Sequence, residues 1–313
     1  MMAMSRFFIF SFSRSGSTVL GQKLNNHSQI KVINESGLFT LLGILNWKML
    51  GPYRQRFLIH HWNKNQPQKR RIANISEKPI SVNDFYTNIL GDSVPIIGEK
   101  TPTNVFYSDY ISKIIKDAKF IFLKRHPLAI AHSYFNRWHN KSYSDRFLID
   151  VVSVIKAYHR EFLKFKTNNH LEIAYEKLVT DSKEILSAIS DYLSVKFEEQ
   201  MLDESSRLFE GSDTEQHHQD VHKKFSIQKI DSFRKTFTPS QLDELSYLLR
   251  KEISELGYPT ENFKTPCWRL QQIEKAIEKN HENLRILKRK QYIYLRTLLS
   301  FYKFCLFHFL KLK

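Results

Sequence analysis

Cysteine is almost absent: Cys267 and Cys305 are the only two in 313 residues, and neither belongs to a Cys/His cluster with metal-ligand spacing. A disulfide framework and a structural zinc site are thereby excluded, and the chain is expected in a reducing compartment. No acidic metal-binding cluster is apparent either. Long apolar runs are missing at the N-terminus, where MMAMSRFFIFSF turns polar too soon for a secretion signal or a spanning helix. It reads instead as the first strand of a cytoplasmic protein. There is no internal repeat, and G-x-x-x-x-G-K-[ST] does not occur, which argues against a nucleotide triphosphatase.

Acidic residues are in short supply. Lys and Arg number 48 against 32 Asp and Glu, giving a formal charge of +16 and a pI near 9.6. An anionic partner is implied, but nucleic acid, a membrane surface and a polyanionic small molecule all satisfy that. The excess is uneven: from Thr265 onward 11 basic residues face 3 acidic ones, half the net charge of the protein in its last 49 residues. With 42% hydrophobic content the rest can bury one sizeable core. The expected organisation is a domain over residues 1–264 with a basic, amphipathic helical tail over 265–313.

Arg6 to Phe12 is a near-continuous aromatic and β-branched run, the signature of a strand covered on both faces. SRSGST follows as a turn, Thr18 to Asn25 has helical spacing, and IKVIN (Ile30 to Asn34) reads as a second parallel strand. Leu38 to Ile59 is apolar and helical in pattern, and Asn63 to Pro79 is a basic loop or lid. VPIIGEKTP (Val94 to Pro102) gives a short strand and loop, Tyr107 to Asp117 a helix, and KFIFLKR (Lys119 to Arg125) a buried strand. A helix then starts with Pro127 in its first turn, where the missing N–H costs nothing. LEIAYEKL and a helix over Ser182 to Leu193 continue the alternation. The fold class is α/β, a P-loop-like parallel sheet wrapped by helices with a C-terminal helical tail.

Two stretches carry chemistry. A strand that hands over to a helix through a tight loop aims backbone N–H groups and the positive end of the helix dipole at an anion. In SRSGST, Gly16 permits close approach, Ser15, Ser17 and Thr18 bring hydroxyls, and Arg14 adds a fixed charge. Taken alone, the same residues also suit an ordinary Ser/Thr helix cap. After KFIFLK, Arg125 lies at the strand exit while Ser133 and Arg137, four apart, share one helix face. Two arginines and a hydroxyl can hold a phosphate through directed, charge-assisted bonds; a solvated basic face is the alternative.

This combination resembles the PAPS-dependent sulfotransferases, and its layout is most like the branch with protein-tyrosine sulfotransferases and many bacterial sulfotransferases. The resemblance runs from about Phe7 to Phe263. It implies the sulfotransferase fold, with 3′-phosphoadenosine 5′-phosphosulfate (PAPS) as co-substrate and no metal. SRSGST would bind the 5′-phosphosulfate, and Arg125 and Ser133 the 3′-phosphate. By the same resemblance Glu35, 21 residues after Arg14, matches the catalytic carboxylate, Lys100 in GEKTP the lysine of a lysine-x-proline loop, Tyr175 a nucleotide contact and Arg137 a second basic contact. LGYPTENF resembles the end of the domain. The stretch from Gly211 to Arg234 resembles a loop closing over the nucleotide, without residue-by-residue matches.

Sulfuryl transfer, like phosphoryl transfer, is an in-line displacement that depends on positioning and electrostatics. Glu35 is the expected general base, with Glu99 second because a carboxylate beside a lysine more often orients it. Arg14 and Lys100 are the expected cations on the leaving side. Rival readings are an ATP-dependent small-molecule kinase using the same loop and a non-enzymatic basic nucleic-acid-binding protein; the first expects a loop lysine that SRSGST lacks, the second leaves the paired phosphate sites unexplained.

The acceptor, a glycan, lipid-linked or other small hydroxyl compound, is not named by any motif. Gln291 to Leu312 is rich in Leu, Phe and Tyr, and Arg289, just before it, with Arg296 and Lys303 recur every seven residues. That pattern suits a peripheral helix on the inner face of an anionic membrane or a helix docked on protein.

Overall fold

The aromatic run at the N-terminus forms strand β1 (Ser5–Ser11) at the centre of a five-stranded, all-parallel sheet. Its neighbours are β3 (Ile96–Lys100) and β4 (Lys119–Lys124), with β2 (Ile30–Asn34) and β5 (His170–Ala174) outermost, in the order β2-β3-β1-β4-β5. This is a computed structural model, and it describes residues 5–36, 39, 95–165, 170–203, 227–260 and 267–281.

Side chains alternate across a strand, so β1 feeds two cores. Phe8 and Phe10 join Phe12, Phe120 and Phe122 on one face, while Phe7 and Ile9 join Ile121 and Leu123 on the other. The first face is aromatic: Phe165 packs edge-on against Phe10 and Phe120 at 5.2 and 4.6 Å between ring centres. It is covered by α2 (Ser108–Ile114), α3 (Pro127–Trp138) and α4 (Asp145–Lys164), together with α7 (Ser232–Thr236), α8 (Pro239–Leu248) and α9 (Arg250–Glu255). The second face is covered by α1 (Ser17–Asn25), α5 (Tyr175–Thr180) and α6 (Ser182–Leu193). Helices on both faces satisfy a parallel sheet, which has no polar side to turn to water.

Local chemistry fixes the helix starts. α3 begins at Pro127, and the His126 ring accepts the Leu128 N–H at 3.2 Å. Ser144 caps α4 through the Phe147 N–H, and Thr238 with Gln241 forms a reciprocal capping box at α8.

Ile30–Asn34 and Ser182–Leu193 occupy their expected ranges. The helix expected over Tyr107 to Asp117 is shorter and divided. Pro102–Tyr107 forms 3₁₀ turns, α2 follows, and Ile115 leaves helical angles (φ −116, ψ 87) because the chain must swing into β4. Leu38 to Ile59 apart from Phe39, Asn63 to Pro79, most of the Gly211 to Arg234 loop and Gln291 to Leu312 lie outside the described residues. The tail begins with α10 (Trp268–His281), which packs on α4 and sends Leu270, Ile273 and Ile277 into the aromatic core. Arg269 ties it down by bonds to Asp145 (2.9 and 2.6 Å) and Glu244 (2.7 Å). Among the described residues no helix is long and apolar enough to cross a membrane.

One close packing constrains the sheet. Gly98 pairs with Phe7 in the β1/β3 register, and the tip of the fully buried Phe7 ring lies where a Cβ on residue 98 would sit, at 2.2 Å. Gly98→Ala should therefore overpack the sheet, at a cost of about 1–3 kcal/mol. A melting temperature lowered by several degrees is expected in thermal unfolding, and an unchanged one would contradict the packing.

Candidate active site

Because the five strands are parallel, their carboxyl ends share one edge, and that edge is where ligands bind in open α/β sheets. The sequence-predicted residues come off these ends in spatial order. Glu35 follows β2, Lys100 ends β3, the Ser13–Gly16 turn follows β1, Arg125 follows β4, and Tyr175 follows β5.

The turn after β1 is built for close approach. Arg14 and Gly16 both adopt left-handed backbone angles, φ 73 and φ 88. α1 starts at Ser17 with Gly16 as its cap, so no side chain covers the first-turn N–H groups. The Ser15 hydroxyl is fully buried and lacks a protein partner. A Cβ on Gly16 would meet the Tyr175 ring at 2.4 Å, so that ring forms a wall directly against the turn. Bare N–H groups, an orphaned buried hydroxyl and a space that only glycine leaves open fit an anionic oxygen-rich group.

Lys100 is completely buried, and its Nζ donates to Glu35 Oε1 at 2.7 Å and to Thr18 Oγ1 at 3.1 Å. The partner carboxylate is about half exposed, so it pairs with the lysine on one side and opens to solvent on the other. Glu35 is itself held in a left-handed conformation (φ 47), with its N–H donating to the Lys100 carbonyl at 2.7 Å. Glu99, on the opposite face of β3, is buried, and its Oε1 accepts from Ser36 Oγ, Thr101 Oγ1 and Asn104 Nδ2.

On the other flank, Arg14 Nε donates to Ser133 Oγ at 3.1 Å, and Arg125 Nη1 donates to the Arg14 carbonyl at 3.0 Å. The two basic stretches, more than a hundred residues apart in sequence, thus meet. Arg125 also donates from Nη2 to the Lys229 carbonyl at 2.9 Å and lies over the Tyr175 ring at 4.4 Å. Burial pulls its guanidinium below the ordinary arginine value, although it stays protonated at neutral pH. Arg137 shares its helix with Ser133, but its guanidinium packs on the Trp138 ring at 5.8 Å.

Several neighbours were not singled out in the sequence. Trp138 is half exposed, packs on Tyr134 and also faces Arg14 at 5.9 Å; its spacing of four from Tyr134 was the available signal. Tyr134 hydrogen-bonds the Ser13 side chain, and burial raises its phenol pKa. Lys229 contributes through its backbone carbonyl, which no residue pattern announces. Among the described residues, no group of three or more His, Cys, Asp or Glu is placed to hold a metal ion.

The comparisons with known proteins show the family and the fold. Residues 6–199 match the model of the sulfotransferase family, a span of more than half the chain. The chain belongs to that family, whose chemistry is the transfer of a sulfuryl group. A putative protein-tyrosine sulfotransferase of Caenorhabditis briggsae is 23% identical over 276 residues, 82% of this chain and 90% of that protein. Among solved structures, the sulfotransferase domain of the Synechococcus PCC 7002 olefin synthase superposes with a TM-score of 0.57 at 23% identity, covering 84% of this chain and 95% of that one. The sulfotransferase domain from the curacin biosynthetic pathway gives 0.59 at 20%, covering 83% and 100%. The fold is that of the sulfotransferases.

A histidine beside the site gives the molecule a pH response. His132, on α3, bonds Ser232 and Thr236 of α7 at 3.2 and 2.9 Å, and burial followed by the field of Arg125 lowers its pKa below 6.5. As pH falls through 6.5 the unfolded chain takes up a proton that the folded one refuses, so stability declines with acid. His159, buried between α4 and α9, is shifted the same way and adds to the decline. The melting temperature should fall between pH 7 and pH 5, and His132→Asn should flatten that fall. An identical slope in the variant would rule His132 out as a contributor.

Proposed function

We propose that this protein transfers the sulfuryl group of PAPS to a hydroxyl acceptor, with Glu35 as general base. The observation that carries the reading is the convergence of Arg14, Lys100 and Arg125 on one sheet edge around a turn with uncapped helical N–H groups. Such a site has cations and donors for a nucleotide carrying phosphate at both ends.

In this reading the Ser15–Thr18 turn and the α1 N-terminus hold the 5′-phosphosulfate, with the orphaned Ser15 hydroxyl as one donor. Arg125, Ser133 and Arg137 hold the 3′-phosphate, and Tyr175 walls the nucleotide site. PAPS supplies the sulfuryl group and a phosphate leaving oxygen. Glu35 takes the proton of the acceptor hydroxyl as its oxygen bonds to sulfur, and Lys100 and Arg14 balance the charge that grows on the leaving oxygen as the old S–O bond breaks. Glu35 suits the base role because its carboxylate reaches solvent, where an acceptor arrives; Glu99 does not, because it is buried among three donors. The acceptor is a glycan, a lipid-linked compound or another small hydroxyl compound.

Ligand-dependent melting tests the donor assignment. Adenosine 3′,5′-bisphosphate should raise the melting temperature more than adenosine monophosphate or ATP with magnesium; saturation at 100 times Kd contributes about 2.7 kcal/mol. A preference for ATP with magnesium would favour a kinase instead. Arg125→Ala should weaken bisphosphate binding about tenfold or more, as expected for a lost charge-assisted bond. Turnover tests the chemistry. Glu35→Gln should lower kcat about 100-fold or more at nearly unchanged bisphosphate affinity, and Lys100→Met should likewise cost more turnover than binding. Near-normal turnover in Glu35→Gln would mean that another group is the base.

A further inference from the structure

Glu99 lies outside the chemistry above, yet it is a carboxylate with 1% exposure at the end of β3, directly beside Lys100. A strand sends successive side chains to opposite faces, so Lys100 points to Glu35 and Thr18 while Glu99 points to the other side. What it meets there belongs to two separate turns. Ser36 Oγ, at 2.6 Å, comes from the turn after β2 that carries Glu35. Thr101 Oγ1, at 3.1 Å, and Asn104 Nδ2, at 3.2 Å, come from the turn after β3 that leads away from Lys100. All three donate to the same oxygen, Oε1.

We infer that Glu99 is a positioning residue that clamps these two turns together and so sets the geometry of the Glu35–Lys100 pair; its catalytic consequence rests on the reading of Glu35 as base. Glu35 needs such a clamp. Its φ of 47 is a conformation that a residue with a side chain adopts at a cost. The turn is fixed on both sides of that strained residue: the Glu35 N–H bonds the Lys100 carbonyl at 2.7 Å, and the next side chain, Ser36, bonds Glu99. Asn104 completes the arrangement from beyond Lys100, where its own N–H closes a turn on the Thr101 carbonyl at 2.9 Å. Its side chain is fully buried.

The clamp predicts an effect across a gap. Asn104 belongs to one turn and the Glu35 amide to the other, and Glu99 Oε1 accepts from both turns. In the full-length protein, Asn104→Ala should speed hydrogen exchange at the amides of residues 34–36 on the order of tenfold, the loss expected for one buried hydrogen bond. Ser36→Ala should do the same locally. Glu99→Gln, which keeps the shape and replaces the carboxyl with an amide, should speed exchange in both turns; if it does not fold, Asn104→Ala decides alone. With PAPS as donor and 4-nitrophenol as acceptor probe, Asn104→Ala should lower kcat several-fold at unchanged donor KM, and adenosine 3′,5′-bisphosphate should bind as to the wild type. Exchange faster only at residues 101–104 would overturn the clamp. So would a loss expressed in donor KM rather than kcat. Exchange requires no donor, so failure of the PAPS reading, seen as absent bisphosphate stabilisation of the wild type, is distinguishable from failure of the clamp.

Discussion

An ammonium group buried without exposure has few ways to be tolerated, and the position of Lys100 organises much of the surrounding structure. Removing the charge from water costs several kcal/mol unless an opposite charge and further acceptors replace the lost hydration. Here the acceptors come from two other elements, Glu35 after β2 and Thr18 in the first turn of α1. Lys100 therefore fastens the edge of the sheet, its centre and the first turn of α1 to one point. Its burial also strengthens its pairing with Glu35, because opposite charges attract more strongly in low-dielectric surroundings.

The flank formed by Arg125 follows a related logic with different materials. Its guanidinium spreads over the Tyr175 ring and spends two donors on backbone carbonyls, those of Arg14 and Lys229. Tyr175 in turn presses against Gly16, so the ring that supports the arginine also shapes the turn. Positive φ angles at Arg14 and Glu35, on either side of Lys100, are held by these contacts rather than by glycine. Strain of this kind persists where the surroundings over-determine it, and functional sites are where it collects.

Much of this was legible in the sequence because periodicity and strand-exit residues are local signals. The run from Arg6 to Phe12 could only be a strand buried on both faces, and Arg14, Glu35, Lys100, Arg125 and Tyr175 each sit within a few residues of a strand end. Topology then gathers them, since parallel strands place every exit on the same edge. Contacts that depend on the third dimension were not legible. The bond from Arg14 to Ser133 spans 119 positions and joins two residues assigned in the sequence to opposite ends of one nucleotide. Burial of Glu99 among three donors, and the use of the Lys229 carbonyl, depend on how turns pack rather than on any spacing. The helix at Tyr107 was overextended because the apolar pattern continued past Ile114 while the chain itself had to turn into β4.

β2 and β3 are hydrogen-bonded neighbours in strict register, yet the chain leaves one at Asn34 and enters the other at Ile96. Because the strands are parallel, Asn34 pairs with Lys100 and Ile30 with Ile96, so the connection leaves the carboxyl end of β2 and returns to the amino end of β3, its two ends fixed a strand's length apart. Such a segment can be lengthened, shortened or rewritten during evolution while Glu35, at its start, and Lys100, at the far end of β3, keep their separation. The register of the sheet thereby fixes the Glu35–Lys100 pair whatever the length of the connection between the two strands.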